Sequence, residues 1–158
     1  MIISEIAGNL ADLSPDERNA LEVDRVFFDN ESRLKRVQRV TSESGEEVAL
    51  RFESDFRELR DGDILQLDGG KAIVATISPT DVLAIAPRTM REALVIAHTL
   101  GNRHLQAQFF ESDSDFGKDV MVVRYDHTVE HYLDHVGADY SRVEHVMPEA
   151  FRHAEHSH

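Results

Sequence analysis

Thr89-Met90-Arg91-Glu92-Ala93-Leu94-Val95-Ile96-Ala97-His98-Thr99-Leu100-Gly101 is the first stretch of this 158-residue chain with a clear helical period, and its setting between extended runs decides the architecture. Thr89 and Glu92 have the spacing of a capping box, in which the Thr hydroxyl accepts from a free helix N–H and the Glu reaches back to the cap. At about 100° per residue Met90, Ala93, Leu94, Ile96, Ala97 and Leu100 fall on one side, the face expected to be buried. Gly101 is expected to stop the helix. Before it, Asp81 to Ala86 reads as a buried strand closed by Pro87. After it come an extended run from Leu105 to Phe110, an acidic loop Glu111-Ser112-Asp113-Ser114-Asp115 and a strand from Val120 to Tyr125. A helix from about Asp126 to Val136 follows, ended by Gly137, and then a strand near Arg142 to Val146. The order is β-α-β-β-α-β, the ferredoxin-like arrangement, with two helices on one face of an antiparallel sheet.

Upstream, the pattern is different. Ile2 to Ile6, Leu21 to Phe27, Lys35 to Thr41, Glu47 to Phe52, Ile64 to Leu67 and Ala72 to Ile77 read as short strands, and no helical period is seen. Ser44-Gly45, Asp61-Gly62-Asp63 and Asp68-Gly69-Gly70 supply turn chemistry, and the last joins two apolar runs as a hairpin does. The expected fold class is therefore α+β. A small all-β domain over 1–77 precedes a ferredoxin-like domain over 78–147, and 148–158 is expected to be a flexible histidine-bearing tail in which only Phe151 is apolar enough to pack.

Composition narrows the chemistry. There is no cysteine, so thiolate nucleophiles, disulfides and cysteine-built metal sites are excluded, and any metal site must use nitrogen and oxygen. Thirty acidic residues against seventeen basic ones give a formal charge of −13, which repels phosphate backbones and anionic lipid; neither nucleic acid nor membrane is expected as a partner. The N terminus has no basic start, and no apolar run reaches the roughly 20 residues of a membrane span, so a cytoplasmic location is expected.

The nine histidines all lie beyond residue 97. Neutral imidazole is the commonest protein ligand for zinc, nickel and copper, and its ordinary pKa near about 6.5 makes affinity fall as pH drops through that region. His104, in Gly101-Asn102-Arg103-His104, sits at a helix–strand junction and supplies one ligand; a two-fold dimer with the junction near its axis would bring two to one ion. His153, His156 and His158 stand close together at the C terminus, where a flexible chain could wrap an ion. His127, His131 and His135 repeat every four residues opposite Val129, Tyr132, Leu133 and Val136, the pattern of a solvated helix face capable of weak chelation. His98 reads as a helix-surface residue, and His145 carries no signal. A metal-dependent hydrolase would need a fixed His/carboxylate set with an open position, and no His-Glu-x-x-His or similar set is present. A scaffolding module with incidental histidines is a further reading.

Ala97-His98-Thr99-Leu100-Gly101-Asn102-Arg103-His104 resembles the urease accessory protein UreE family, the nickel metallochaperones of urease assembly. Ser32-Arg33-Leu34-Lys35-Arg36, Leu59-Arg60-Asp61-Gly62-Asp63, Asp68-Gly69-Gly70, Tyr125-Asp126-His127 and Leu133-Asp134-His135-Val136-Gly137 follow in family order, so the resemblance spans essentially the whole chain. It implies a non-enzymatic protein with an N-terminal partner-docking β domain. It also implies a homodimer holding Ni(II) between two copies of His104, with His153, His156 and His158 as supplementary ligands. Assembly into a higher oligomer around the ion is left open. The implied partners are the GTPase accessory protein UreG and, through it, apo-urease. Zn(II) or Cu(II) would compete at any imidazole site, so a general divalent-metal binding or storage protein is the alternative. Some relatives carry histidine where Thr99 stands, and some carry a metal-binding pair near the last helix where only His127 corresponds; auxiliary sites built on those positions are not implied here.

Overall fold

A computed structural model describes residues 1–153. The chain divides into two compact units. The first comprises Met1–Pro79 together with Val146–Ala150, and the second comprises Thr80–His145 with the described residues from Phe151 onward.

In the first unit, strands β1 (Ile2–Ile3), β4 (Val37–Thr41) and β5 (Glu47–Arg51) form a three-stranded sheet, with β5 central, parallel to β1 and antiparallel to β4. A second sheet runs β2-β6-β7-β3, from β2 (Gly8–Asn9), β6 (Asp63–Asp68), β7 (Lys71–Ile77) and β3 (Glu22–Phe28). The expected hairpin is present: Asp68 pairs with Lys71 across a two-residue turn, and Gly69 and Gly70 both take positive φ, 56° and 86°. That conformation is the primed turn whose twist matches the strands. Along β7 the pleat sends alternate residues to opposite sides. Ile73, Ala75 and Ile77 join Val26, Phe28, Val48 and Leu50 in the main core, while Ala72 and Val74 pack with Ile64 on the other side.

That second face is covered by a segment expected to lack helix. A 3-10 turn (Leu10–Asp12) and helix α1 (Pro15–Asn19) carry Leu10, Leu13 and Leu21 onto Ile64, Ala72 and Val74. The helix is short enough to show no apolar period. Its signature lies in its cap instead: Ser14 Oγ accepts from Glu17 N, Glu17 Oε1 accepts from Ser14 N, and Pro15 opens the first turn.

Arg33 is the largest fully buried side chain of the unit, 1% exposed. It sits in a 3-10 turn (Ser32–Leu34) set by Asp29 and Ser32, whose side chains cap each other's backbone N–H groups. Its Nε donates to Leu59 O (3.0 Å), Nη1 to Met147 O (2.8 Å) and Nη2 to Pro148 O (3.2 Å), and Nη2 lies 3.4 Å from Glu58 Oε2. Glu58 Oε2 also accepts from Ala150 N at 2.7 Å. Burial pushes the guanidinium pKa down, and the Glu58 carboxylate acts against that shift. Residues 148–150, expected to begin a flexible tail, are therefore held, and Met147 and Ala150 are buried. The expectation failed because the partners of this segment are backbone groups and a distant Arg–Glu pair, which apolar content does not reveal.

The second unit has the expected order: β8 (Thr80–Ile85), α2 (Met90–Asn102), β9 (Ala107–Phe110), β10 (Val120–Arg124), α3 (His127–Val136) and β11 (Tyr140–His145). The sheet runs β11-β8-β10-β9, antiparallel throughout. Leu83, Ile85, Met121 and Val123 from the two central strands pack with Ile96 and Leu100 of α2 and Val129 and Leu133 of α3. The buried face of α2 is narrower than its apolar pattern predicts. Ile96 and Leu100 are buried and Ala93 and Ala97 half-buried, but Met90 and Leu94 are 79% and 66% exposed. The buried arc is centred between Ile96 and Leu100, and Leu94 lies about 140° away from that centre on the helical wheel.

Arg33→Ala removes the buried cation that faces Glu58 and the donors to three backbone carbonyls. Urea unfolding should show a loss of about 3–5 kcal/mol, with a smaller loss for Glu58→Gln. A change below about 1 kcal/mol for Arg33→Ala, the range of an exposed pair, would show that this network does not hold the segment.

Candidate metal centre

His104 is placed by how α2 ends. The helix runs through Gly101, which was expected to stop it, to Asn102, and the left-handed residue is His104 itself at φ 58°, the one non-glycine with positive φ among the described residues. Its N–H donates to Gly101 O (2.9 Å), and Leu105 N donates to Leu100 O (3.4 Å). These are the paired bonds of a Schellman closure, with the residue after the cap in the left-handed region and an apolar residue following it onto the core. Leu105 packs against the cluster that contains Leu100. Glycine is the usual occupant of the left-handed position because any Cβ there is crowded, and histidine is one of the few other residues enriched in it. The chain thus spends local strain to project an exposed imidazole from a corner fixed by backbone hydrogen bonds. At the other end of α2, Thr89 Oγ1 accepts from Glu92 N (3.1 Å), but the reciprocal half of the expected capping box is missing, and Glu92 Oε1 is buried with no hydrogen-bond partner.

Of the other expected ligands, His153 is described and exposed, whereas His156 and His158 lie outside the described residues. His153 Nδ1 lies 3.1 Å from Gln106 Nε2. Gln106 is two residues beyond His104, so the two imidazoles are tied to the same short segment. An amide nitrogen can only donate, so Nδ1 accepts and the neutral ring carries its proton on Nε2; the contact tethers His153 beside the His104 segment, and the ring must release it to ligate an ion. The sequence held no signal for Gln106, because it meets His153 only across 47 residues of chain.

The remaining histidines separate. His98 Nε2 is 3.3 Å from Asn102 Nδ2 one turn along α2. His145 stacks on Phe116, ring centroids 4.6 Å apart, and Phe116 in turn meets Phe110, so this histidine helps seat the 111–119 loop. His127, His131 and His135 are exposed along one side of α3, where they line an open groove with Arg103, Thr128 and Tyr132. Among the described residues no three His, Asp or Glu side chains converge on one point.

Residues 3–78 match the family model of the UreE urease accessory protein N-terminal domain, and residues 80–158 match that of its C-terminal domain. The chain belongs to the UreE urease accessory protein family. It is 54% identical to the urease accessory protein UreE of Corynebacterium urealyticum over 158 residues, covering the whole of both chains. The UreE proteins of an Arthrobacter species and of Actinomyces naeslundii are 52% and 47% identical to it, again over the full length of each. Membership assigns the chain an accessory, non-enzymatic role in urease maturation, which implies contact with other maturation factors. No helix among the described residues is long and apolar enough to cross a membrane.

The left-handed conformation makes a stability trade-off measurable. Replacing His104 by Gly should raise the unfolding free energy by about 1 kcal/mol, because the Cβ strain is removed, whereas His104→Ala keeps the strain and should not. Paired thermal or urea unfolding of the two variants checks this, and equal stabilities would show that the position is unstrained.

Proposed function

We propose that this protein captures Ni(II) for urease assembly at a symmetric site in which His104 of each of two copies faces one ion. The observation that carries this reading is that His104 is rigidly presented and exposed while, among the described residues, no three metal-ligating side chains converge on one point. A divalent ion needs about four to six donors, and two-fold pairing supplies the second imidazole by symmetry. The exposed apolar side chains Met90, Leu94 and Val95 on α2 and Phe109 on β9 support self-association through this unit, since isolated soluble chains seldom leave several large apolar groups uncovered.

His153, tethered beside the His104 segment by Gln106, and His156 and His158 complete the coordination with water. Ligands of this kind exchange readily, so the ion passes by stepwise substitution to the next protein, the GTPase accessory protein UreG, and from there to apo-urease. Preference for nickel over Zn(II) or Cu(II) does not follow from imidazole donors, which bind copper more tightly; dedication to nickel rests on the role of the family in urease maturation. Location in the cytoplasm belongs to the same reading.

Calorimetric titration of the wild-type chain with Ni(II) should reveal one tight ion per dimer, and His104→Ala should abolish it while leaving the dimer intact by sedimentation. A tight site unchanged in His104→Ala overturns the assignment. Removing residues 154–158 should weaken binding without abolishing it.

A further inference from the structure

The face of α3 turned away from its core carries a second constellation that the His104 site does not use. We propose that His131 and His135 form a chelating pair for a borderline divalent cation of the Cu(II), Ni(II) and Zn(II) class, separate from the His104 site. Both side chains are exposed and line the same groove. Residues four apart on a helix stand with their Cβ atoms about 5–6 Å apart, which lets two imidazoles close on one ion at metal–nitrogen distances of about 2.0–2.1 Å.

The helix is built beforehand, so the ion need only order two side chains. Asp126 caps its first turn through Thr128 N (2.8 Å), and Gly137, at φ 67°, closes its last. The inner side is pinned by Val129 and Leu133 in the core and by phenol–carboxylate bonds, Tyr125 to Glu130 (3.1 Å) and Tyr140 to Asp134 (2.6 Å). These bonds commit Glu130 and Asp134 to the sheet side and leave the outer side to the histidines.

His127 lies on the same side but is the poorer member. It occupies the first turn, where the positive end of the helix dipole opposes a cation, whereas His135 is in the last turn, where the negative end favours one. The Arg103 guanidinium also stands at the His127 end, over the Tyr132 ring at 5.8 Å and 3.5 Å from Thr128 Oγ1. All three imidazoles cannot share an ion, since His127 and His135 are separated by about 12 Å along the axis. The absence of any three-donor convergence among the described residues agrees with a two-histidine site completed by water. Such a site is shallow and exchangeable, suited to gathering ions at the surface.

The test follows the imidazole resonances of the full chain by NMR during titration with Zn(II), in wild-type and His104→Ala proteins. The rings of His131 and His135 should shift together with one midpoint in both proteins. His131→Ala should remove the response of His135, and His135→Ala that of His131, each raising the midpoint at least tenfold, while His127→Ala should leave both responses unchanged. Independent responses of the two rings, survival of either in the absence of the other, or dependence on His104 would overturn the pair. Because the His104→Ala protein is part of the experiment, failure of the α3 pair and failure of the His104 site are read separately.

Discussion

The carbonyls at the end of α2 must find donors, and the way they do so governs the second unit. Once Leu100 is fully buried against β8, β10 and α3, the chain has to turn sharply to return as β9. The turn is closed by His104 N to Gly101 O and Leu105 N to Leu100 O, with His104 in the left-handed region. This one closure positions Leu105 on the core, leads the chain into β9 and aims an imidazole outward. The proposed site and the fold therefore share a single element, and the strain accepted at His104 is supported by the core packing on either side of it.

The first unit depends on a different constraint, the need to satisfy a buried cation. Arg33 reaches across 114 residues of sequence to Met147, and its remaining donors are taken up by Leu59, Pro148 and Glu58. Every N–H used this way relieves a desolvation cost that an apolar core would not have incurred. In exchange, the segment 146–150 acquires a unique position, although it pairs with no strand. The two units thus use polar closure in contrasting ways: one to order a segment without regular structure, the other to aim an exposed imidazole.

Much of this was legible in the residues themselves. Asp68-Gly69-Gly70 could only be a tight hairpin, and the alternation of helical and extended periods from residue 81 onward admitted little besides the βαββαβ order. The capping box at Ser14 and Glu17 is present in the sequence too, but a five-residue helix adds no apolar period to it, so hydrophobic patterning alone does not predict α1. Gly101 misled in the opposite way. Glycine is common just past a helix end, yet here it lies inside the helix, and Leu105 three residues after Asn102 is the better marker because the closure requires an apolar residue there. For α2, hydrophobicity named the right helix but too broad a face, since exposed Met90 and Leu94 satisfy the same pattern as buried residues when a second surface is available for them.

By itself the sequence determined the class of chemistry and the order of the elements. It has no cysteine, all its histidines lie beyond residue 97, and its periods of two and 3.6 alternate in one order. These are properties of composition and short-range spacing, which the chain carries before it folds. Only the tertiary structure decided which histidines share a surface and which stand alone. Gln106 meets His153 and Phe116 meets His145, because each of these outcomes depends on contacts between residues distant in sequence. The same is true of the left-handed backbone of His104, which local preference alone would assign to a glycine and which is held at a histidine by the packing of Leu100 and Leu105 around it.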